Sequence, residues 1–208
     1  MKLTARQRRI IDPPRETDIP PFPVRKFTVA EYHRLLEVAL LKSGDPYELL
    51  EGWIVPKLKR SPPNAYTTTC LQQTFWLLFR RGKLMVRCQS PITFLRSEPE
   101  PACSLIRGDN RDYLTRHPRP KETELVAEVA DTSLERDRGT KSAIYASGRI
   151  PVYWIVNLVD RRVEVYTQPR GGKSPTYKAR TDYGAGDAVP VVIAGKAVGA
   201  IAVKELLP

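Results

Sequence analysis

A single carboxylate interrupts the apolar run Thr123–Ala130, and this residue, Glu128, constrains the fold more than any other. Alternate residues of a strand lie on opposite faces, and here both faces are mostly apolar, which is typical of a central strand covered on both sides. A carboxylate buried in such a strand destabilises the fold unless a cation or a hydrogen-bond network meets it. The run therefore predicts a central strand whose acid needs a cationic partner or a polar cleft.

The segment after this strand supplies a cation. Asp137 is predicted to cap the N-terminus of a helix, and Gly148 to be the C′ residue beyond its C-terminus. Lys141 and Tyr145 lie on one side of this helix, which precedes the apolar strand 152–159. Lys141 on this adjacent helix is a candidate cation for Glu128, with Tyr145 packing beside it, whereas Asp137 is interpreted as a helix cap rather than a ligand.

Helices and strands follow one another along the rest of the chain. Thr28 and Glu31 have the spacing of a capping box at the start of a first helix, on which His33 is interpreted as a surface or capping residue. Further elements are two short strands in 47–57, a helix over about 64–81, β-rich segments in 84–94 and from about Ala102, a hairpin in 152–167, and β-rich segments in 171–208. This order predicts an α/β or α+β fold, with helices against a mixed sheet and added β-hairpins.

The length of 208 residues fits one domain with a substantial core. Residues 1–26 mix basic side chains with prolines, which bury little and block regular pairing. We therefore predict a disordered basic arm over 1–26 and a folded domain over 27–208.

The formal net charge of +11 bears on the partners of the chain. Excess positive charge attracts polyanions, so nucleic acid is the first partner to consider and an anionic membrane surface the second. A solvated basic surface explains the same charge equally well, and both interpretations stay open. We expect no membrane insertion, because no apolar run is long enough to span a bilayer and the N-terminus lacks the apolar core of a signal peptide.

The three cysteines are odd in number, widely spaced and without a CxxC pair. This pattern fits neither a disulfide framework nor a zinc site. We predict that Cys70, Cys88 and Cys103 are all buried thiols, which indicates a reducing, cytoplasmic location.

Glu128 would have a chemical role if it faced a cleft. With a second oxygen ligand on a neighbouring strand and a lysine from the adjacent helix, it could hold Mg²⁺ over a phosphodiester, where the metal lowers the pKa of a bound water. The lysine would stabilise negative charge in the transition state. An isolated strand glutamate is more often a salt-bridged structural residue, so spacing alone leaves both interpretations open.

Five stretches carry a family resemblance: PYELLEGWIV (46–55), SPITF (90–94), SEPEP (97–101), ELVAEVADTSLERDRGTKSAIYASGRIPVYWIVNLVDRRVEVY (124–166) and DYGAGDAVPV (182–191). With these motifs the chain resembles the Uma-type restriction endonucleases, a bacterial family of the PD-(D/E)xK nuclease superfamily. The resemblance covers nearly everything after residue 26. It implies a restriction-endonuclease-like core, a divalent metal (Mg²⁺ or Mn²⁺), hydrolysis of DNA phosphodiesters and a homodimer.

The resemblance also implies roles for particular residues. Glu128 matches the metal-binding glutamate, and Lys141 matches a catalytic lysine that has moved from the place of Ala130 to the following helix. The family usually has an aspartate ligand where this chain has Ala102, and often a histidine where it has Asn64. A methyl group cannot bind Mg²⁺, so we expect metal binding to be weakened or absent.

A nearby acid could replace the missing ligand, and Glu98, Glu100 and Asp109 are the candidates. Three hypotheses follow. The chain is a metal-dependent DNA endonuclease with a substitute ligand; or it is a degenerate relative that binds nucleic acid without cutting it; or it is a structural or partner-binding protein with a solvated basic surface.

Overall fold

The computed structural model describes residues 23–42, 44–80, 82 and 84–208. Its helices are α1 (Val29–Glu37), α2 (Pro62–Phe79), α3 (Leu134–Arg136) and α4 (Ser142–Ser147), with a π-helical turn (Asp137–Lys141) between the last two. The strands are β1 (Tyr47–Leu50), β2 (Trp53–Pro56), β3 (Leu84–Cys88), β4 (Cys103–Arg107), β5 (Thr123–Ala130), β6 (Val152–Asn157), β7 (Arg162–Arg170), β8 (Thr176–Gly184), β9 (Ala188–Ile193) and β10 (Lys196–Ala202). Short 3₁₀ helices span Asn110–Tyr113, Pro120–Glu122 and Val203–Glu205.

Six strands form one mixed sheet in the order β3-β4-β5-β6-β7-β8. Only β5 and β6 pair in parallel within it. Two parallel neighbours need a crossover connection, and here α3, the π-turn and α4 provide it without a break; together we call them the lysine helix. Hairpins β1–β2 and β9–β10 lie outside the sheet, so the predicted mixed sheet with helices and added hairpins is confirmed.

The central strand is buried on both faces as predicted, since all eight residues of β5 are buried. On one face, Leu125, Ala127 and Val129 pack in a core with Leu71 and Phe75 of α2. On the other face, residues of β5 and β6 form a second core with the lysine helix and the end of β1, including Val126, Ile155, Ile144 and Leu50. Glu128 alternates onto this second face, which the lysine helix covers.

The ends of two helices differ from the sequence-based prediction. The capping box of Thr28 and Glu31 is present, but α1 ends at Glu37, although the turn-forming run Ser43-Gly44-Asp45-Pro46 predicts the end of this helix only there. Gly148 follows α4 as predicted, yet its φ of −79° is right-handed. A Cβ at this glycine would lie 2.6 Å from atoms of Phe94 and Pro120. Close packing, rather than a left-handed turn, is therefore the reason for glycine here.

The prediction of three thiols is wrong. Cys88 and Cys103 lie directly opposite each other on β3 and β4 and form a disulfide. Cys70 is a free, half-buried cysteine. The disulfide removes the support that three thiols gave to a cytoplasmic location.

None of the helices in the described part of the chain is long and apolar enough to cross a membrane. Most of the predicted N-terminal arm, residues 1–22, lies outside the described residues.

Candidate active site

A cleft of about 80 Å³ opens beside Glu128, where the lysine helix, the β1–β2 hairpin and the start of β4 meet. Its lining includes Glu48, Ala102, Glu128, Asp137 and Lys141. The two predicted site residues, Glu128 and Lys141, therefore share one cavity with the position where the metal-binding aspartate was expected.

The Glu128 side chain is only 8% exposed, and three donors hold its carboxylate. Lys141 Nζ donates to its Oε1 at 3.0 Å, and the Tyr145 hydroxyl donates to the same oxygen at 2.6 Å. The second oxygen, Oε2, accepts a longer bond of 3.3 Å from the Ala102 backbone N–H. The expected cation therefore contacts the acid. Oε1 accepts two short hydrogen bonds, whereas Oε2 accepts only the longer one.

Glu48 on β1 is a site residue that the sequence analysis missed. It is buried, and its Oε2 lies 3.4 Å from Lys141 Nζ and accepts the Glu100 backbone N–H at 3.2 Å. An acid inside the short apolar strand YELL is the same signal that singled out Glu128. Nothing in the local sequence shows that these two strands meet, because about eighty residues separate them.

Asp137 also lines the cleft, and the prediction that it caps the N-terminus of the helix is wrong, because it lies inside the helical segment as the first residue of the π-turn. It lies within the π-turn, is buried, and accepts a hydrogen bond of 2.5 Å from the Ser133 hydroxyl. Burial, and next the charge of Glu128, raise the pKa of Asp137 to about 7. π-turns occur frequently at functional sites, and this one turns both Asp137 and Lys141 inward.

The Lys141 ammonium is therefore surrounded by three acidic side chains, those of Glu128, Glu48 and Asp137. Burial acts to lower its pKa, but Glu128, Glu48 and Asp137 outweigh burial and hold the pKa of Lys141 above its ordinary value. The amine is protonated at neutral pH and cannot serve as a general base. A fixed cation in this place can stabilise negative charge on a ligand or a transition state.

The rim of the cleft is basic, in contrast to its floor. Lys57, Lys59, Arg60 and Arg136 line the same cavity. Lys59 and Arg60 are exposed, and neither makes an ion pair with any residue that the structure describes. Free cations above a buried acidic floor are suited to an anionic ligand whose charge lies at the mouth of the cleft.

A family model described as putative restriction endonuclease, Uma2, matches residues 29–194, which is most of the chain. The chain belongs to the Uma2 family. The fold agrees with the crystal structure of a putative nuclease belonging to DUF820 from Anabaena variabilis ATCC 29413, with a TM-score of 0.67 and 13% sequence identity. That match covers 88% of this chain and 97% of the other and shows the shared fold. No curated protein matches the chain significantly.

Compared with the Uma2 pattern set out above, the donor set for a metal is incomplete. Ala102 offers a methyl group and a backbone N–H to the cleft, and the described residues include no group of three or more His, Cys, Asp or Glu side chains that could hold a metal ion. Asn64, where the family often has histidine, donates its amide to the Val129 carbonyl at 2.7 Å. The residues present therefore do not form a complete Mg²⁺ site.

The three acids considered as substitute ligands lie in different places. Glu98 does not line the cleft, and both of its carboxylate oxygens lie 2.9 Å from His33 Nε2. His33 therefore has a buried acidic partner, so its interpretation as a surface or cap residue is incomplete. Asp109 caps the 3₁₀ helix Asn110–Tyr113. Glu100 alone among the three lines the cleft, where it forms a 2.6 Å ion pair with Lys57.

Proposed function

We propose that this chain is a DNA-binding member of the nuclease family whose metal-dependent hydrolysis is severely impaired. The observation that carries the proposal is Ala102, a methyl group at the position in the cleft where the family has a carboxylate ligand. The DNA backbone would bind at the basic rim, and the protonated Lys141 would face its phosphate.

Several features favour a phosphodiester as ligand. The net charge of +11 attracts a polyanion. Lys59 and Arg60 stand exposed at the mouth of the cleft. The floor beneath them carries Lys141, whose charge three buried acids maintain. A phosphate would thus meet cations first and the carboxylates only at depth.

The impairment of cleavage follows from the coordination chemistry of Mg²⁺. This ion takes oxygen ligands in a strict octahedral geometry and depends on carboxylates placed for it. At Glu128, Oε1 already receives Lys141 and Tyr145. Because Ala102 adds no carboxylate beside Glu128, the cleft offers too few free carboxylate oxygens to fix the ion. The protein would then bind the phosphate without a metal-bound water to hydrolyse it.

A plasmid-nicking assay in Mg²⁺ and in Mn²⁺ tests this proposal. We expect no nicking by the wild-type protein and clear nicking by Ala102→Asp, because the new carboxylate enters the cleft next to Glu128. The matched control is Ala102→Asn, which has the same shape without the charge and should stay inactive. Adding Glu128→Gln to Ala102→Asp should abolish the gained activity, and nicking by the wild type that Glu128→Gln abolishes would contradict the proposal.

DNA binding is tested separately by fluorescence anisotropy over a range of salt concentrations. We expect affinity to fall steeply with salt, because each neutralised phosphate releases a counterion. The double variant Lys59→Glu/Arg60→Glu should weaken binding strongly. The control Lys173→Glu/Lys178→Glu changes the net charge equally at exposed positions near and on β8, and it should weaken binding much less. Equal losses in both variants would show that net charge, rather than the cleft, governs binding.

A second candidate is an active endonuclease that uses Glu100 as the substitute ligand. It is favoured by the position of Glu100 on the cleft wall, two residues before Ala102. This requires the carboxylate to leave its ion pair with Lys57. Nicking by the wild type that is lost in Glu100→Gln would establish this function in place of the first.

A further inference from the structure

A second cavity of about 280 Å³ lies beside the cleft, and we call it the side pocket. Gln89 and Glu100 line both cavities, so the two are immediate neighbours. Tyr32, Leu36 and Pro91 form one apolar side of the side pocket. A ligand in the cleft could therefore extend one group past Gln89 into this pocket.

Gln89 is held at the boundary in an unusual backbone conformation. Its φ of 51° is left-handed, which is uncommon for a residue other than glycine. Its backbone N–H bonds to the carbonyls of Pro101 at 3.0 Å and Ala102 at 3.2 Å, which fixes this conformation. Its side chain is exposed and makes no hydrogen bond to any other residue in the described ranges. Strained residues with free polar groups are found at ligand sites.

The polar lining of the side pocket consists mainly of acceptors. Glu98, only 3% exposed, borders it and is fixed by the Thr93 hydroxyl at 2.6 Å and by His33. Glu100 and Asp45 border it as well, against the cation of Lys42, so acids outnumber ammonium groups in the lining, and the pocket favours N–H donors over phosphate. His117 also lines the pocket, and burial lowers its pKa, which favours the neutral form of the imidazole. A flat ring that carries amino groups fits this lining, because it presents N–H donors to the acids and an apolar face to Tyr32 and Leu36.

We propose that the side pocket holds an unstacked base of a nucleic-acid strand whose backbone lies in the cleft, and that the Gln89 amide contacts the edge of this base. The inference rests on the proposed function and makes its substrate class specific. Glutamine offers a donor and an acceptor together and can pair with the edge of a base. A base inside a duplex is stacked and paired, and extracting it is costly. The protein should therefore prefer single strands, or duplexes with an unpaired base, to intact duplex DNA.

Anisotropy titrations with three fluorescent probes test the inference: a short single strand, the same strand with abasic sites, and the intact duplex. The abasic strand keeps the phosphates and loses the bases. We expect it and the duplex to bind about tenfold more weakly than the single strand, a loss typical of a missing base contact. Gln89→Leu should reduce this preference, and Leu36→Trp, which fills the pocket, should remove it.

The matched control is Gln73→Leu, the same substitution at an exposed position of α2 that lines neither cavity, and it should leave the preference unchanged. Gln89 is exposed, so its variant tests the inference even if Leu36→Trp does not fold, which thermal unfolding would show. Equal affinity for the normal and abasic strands, or an unaltered preference in Gln89→Leu, would overturn the side-pocket assignment and leave the proposed function standing. Failure of every strand to bind would overturn both.

Discussion

Two buried acids, Glu128 on β5 and Glu164 on β7, occupy one row across the sheet. Ile155 of β6 pairs with Glu128 on one side and with Glu164 on the other, so all three side chains lie on the same face. Each acid receives a cation from the same helical segment, Lys141 for Glu128 and Arg138 for Glu164. Each also accepts a tyrosine hydroxyl. In outline the two sites are alike, and the difference between them distinguishes a structural ion pair from a candidate functional site.

The difference lies in how completely each carboxylate is satisfied. Glu164 is fully buried and binds both Nε and Nη2 of Arg138, at 3.1 and 2.5 Å, with further bonds from Asn157 and Tyr166 and an ion pair to Arg180. Burial acts to raise its pKa, but the bonds from Arg138, Asn157 and Tyr166 hold the pKa of Glu164 below its ordinary value. Glu128 shares a single point charge with two other acids and borders a cleft. Complete satisfaction marks a structural ion pair, and crowded acids around one ammonium mark a candidate site.

Removing the charge of each acid should give the largest contrast. We expect Glu164→Gln to lower the free energy of unfolding by about 3 kcal/mol, because Arg138 and Arg180 lose their shared carboxylate. This loss is at the low end of the range for broken buried ion pairs, because both arginines are partly exposed. Glu128→Gln should cost about 1 kcal/mol or less, since Lys141 keeps Glu48 and crowding of acids is relieved. Urea denaturation measures both, and equal losses would show that the two acids are structural alike.

The sequence predicted what depends on short-range pattern. The apolar alternation of β5 was enough to predict a doubly covered strand, whereas the contact between Glu128 and Lys141 was expected from the family resemblance. Gly148 was also placed correctly at a helix end, although for a different physical reason. These features are set by residues within about twenty positions of each other, where periodicity and capping rules apply.

What the sequence did not predict depends on register and on irregular backbone. Glu48 reaches the cleft only because β1 pairs with the segment before β4, where Leu49 lies opposite Glu98, a long-range contact with no local signal. The pairing of Cys88 with Cys103 depends on the register of β3 and β4. Asp137 was misjudged because a π-turn, rather than a regular helix start, holds it. The Ala102 substitution was visible in the sequence, but its position in the cleft was not.

The pH dependence of stability should have opposite signs at the two sites. Asp137, beside Glu128, has its pKa raised from 3.8 to about 7, so the folded protein binds a proton that the unfolded chain has released. Stability from this group is therefore lost as pH rises from about 4 to about 7. Glu164 has a lowered pKa, so its contribution is present above 4.5 and is lost as pH falls below it.

The variant Asp137→Asn isolates the first of these effects. Relative to wild type, it should gain about 2 kcal/mol of stability between about pH 5 and about pH 8. Urea denaturation of both proteins at each pH gives this difference, in which the other titrating groups largely cancel. A difference that stays constant across this range would contradict a raised pKa for Asp137.

The two tyrosines provide a finer comparison. Tyr145→Phe removes the donor 2.6 Å from Glu128, and Tyr166→Phe removes the donor 2.8 Å from Glu164. We expect the first to cost about 1.5 kcal/mol, because a fully buried bond to a charged acceptor is lost, and the second about 0.5 kcal/mol, because Tyr166 is half-buried and Glu164 keeps its other donors. Thermal unfolding of the two variants ranks them, and the reverse order would show that Glu164 depends on each donor more than Glu128 does.

The smallest expected effect concerns Ser133, whose hydroxyl bonds to Asp137 and helps to lower its pKa against burial and Glu128. Ser133→Ala should raise the pKa of Asp137 above about 7 while changing stability at neutral pH by less than about 1 kcal/mol, since the acid is partly protonated there. The carboxyl carbon of Asp137, followed by NMR across pH, reports this titration directly. Ser147→Ala is the matched control, because that hydroxyl bonds to the Ile144 carbonyl at the end of α4 and should leave the titration unchanged. If Ser133→Ala leaves the midpoint unchanged or lowers it, then the Ser133 hydroxyl does not stabilise the ionised form of Asp137, which contradicts the role assigned to this hydrogen bond.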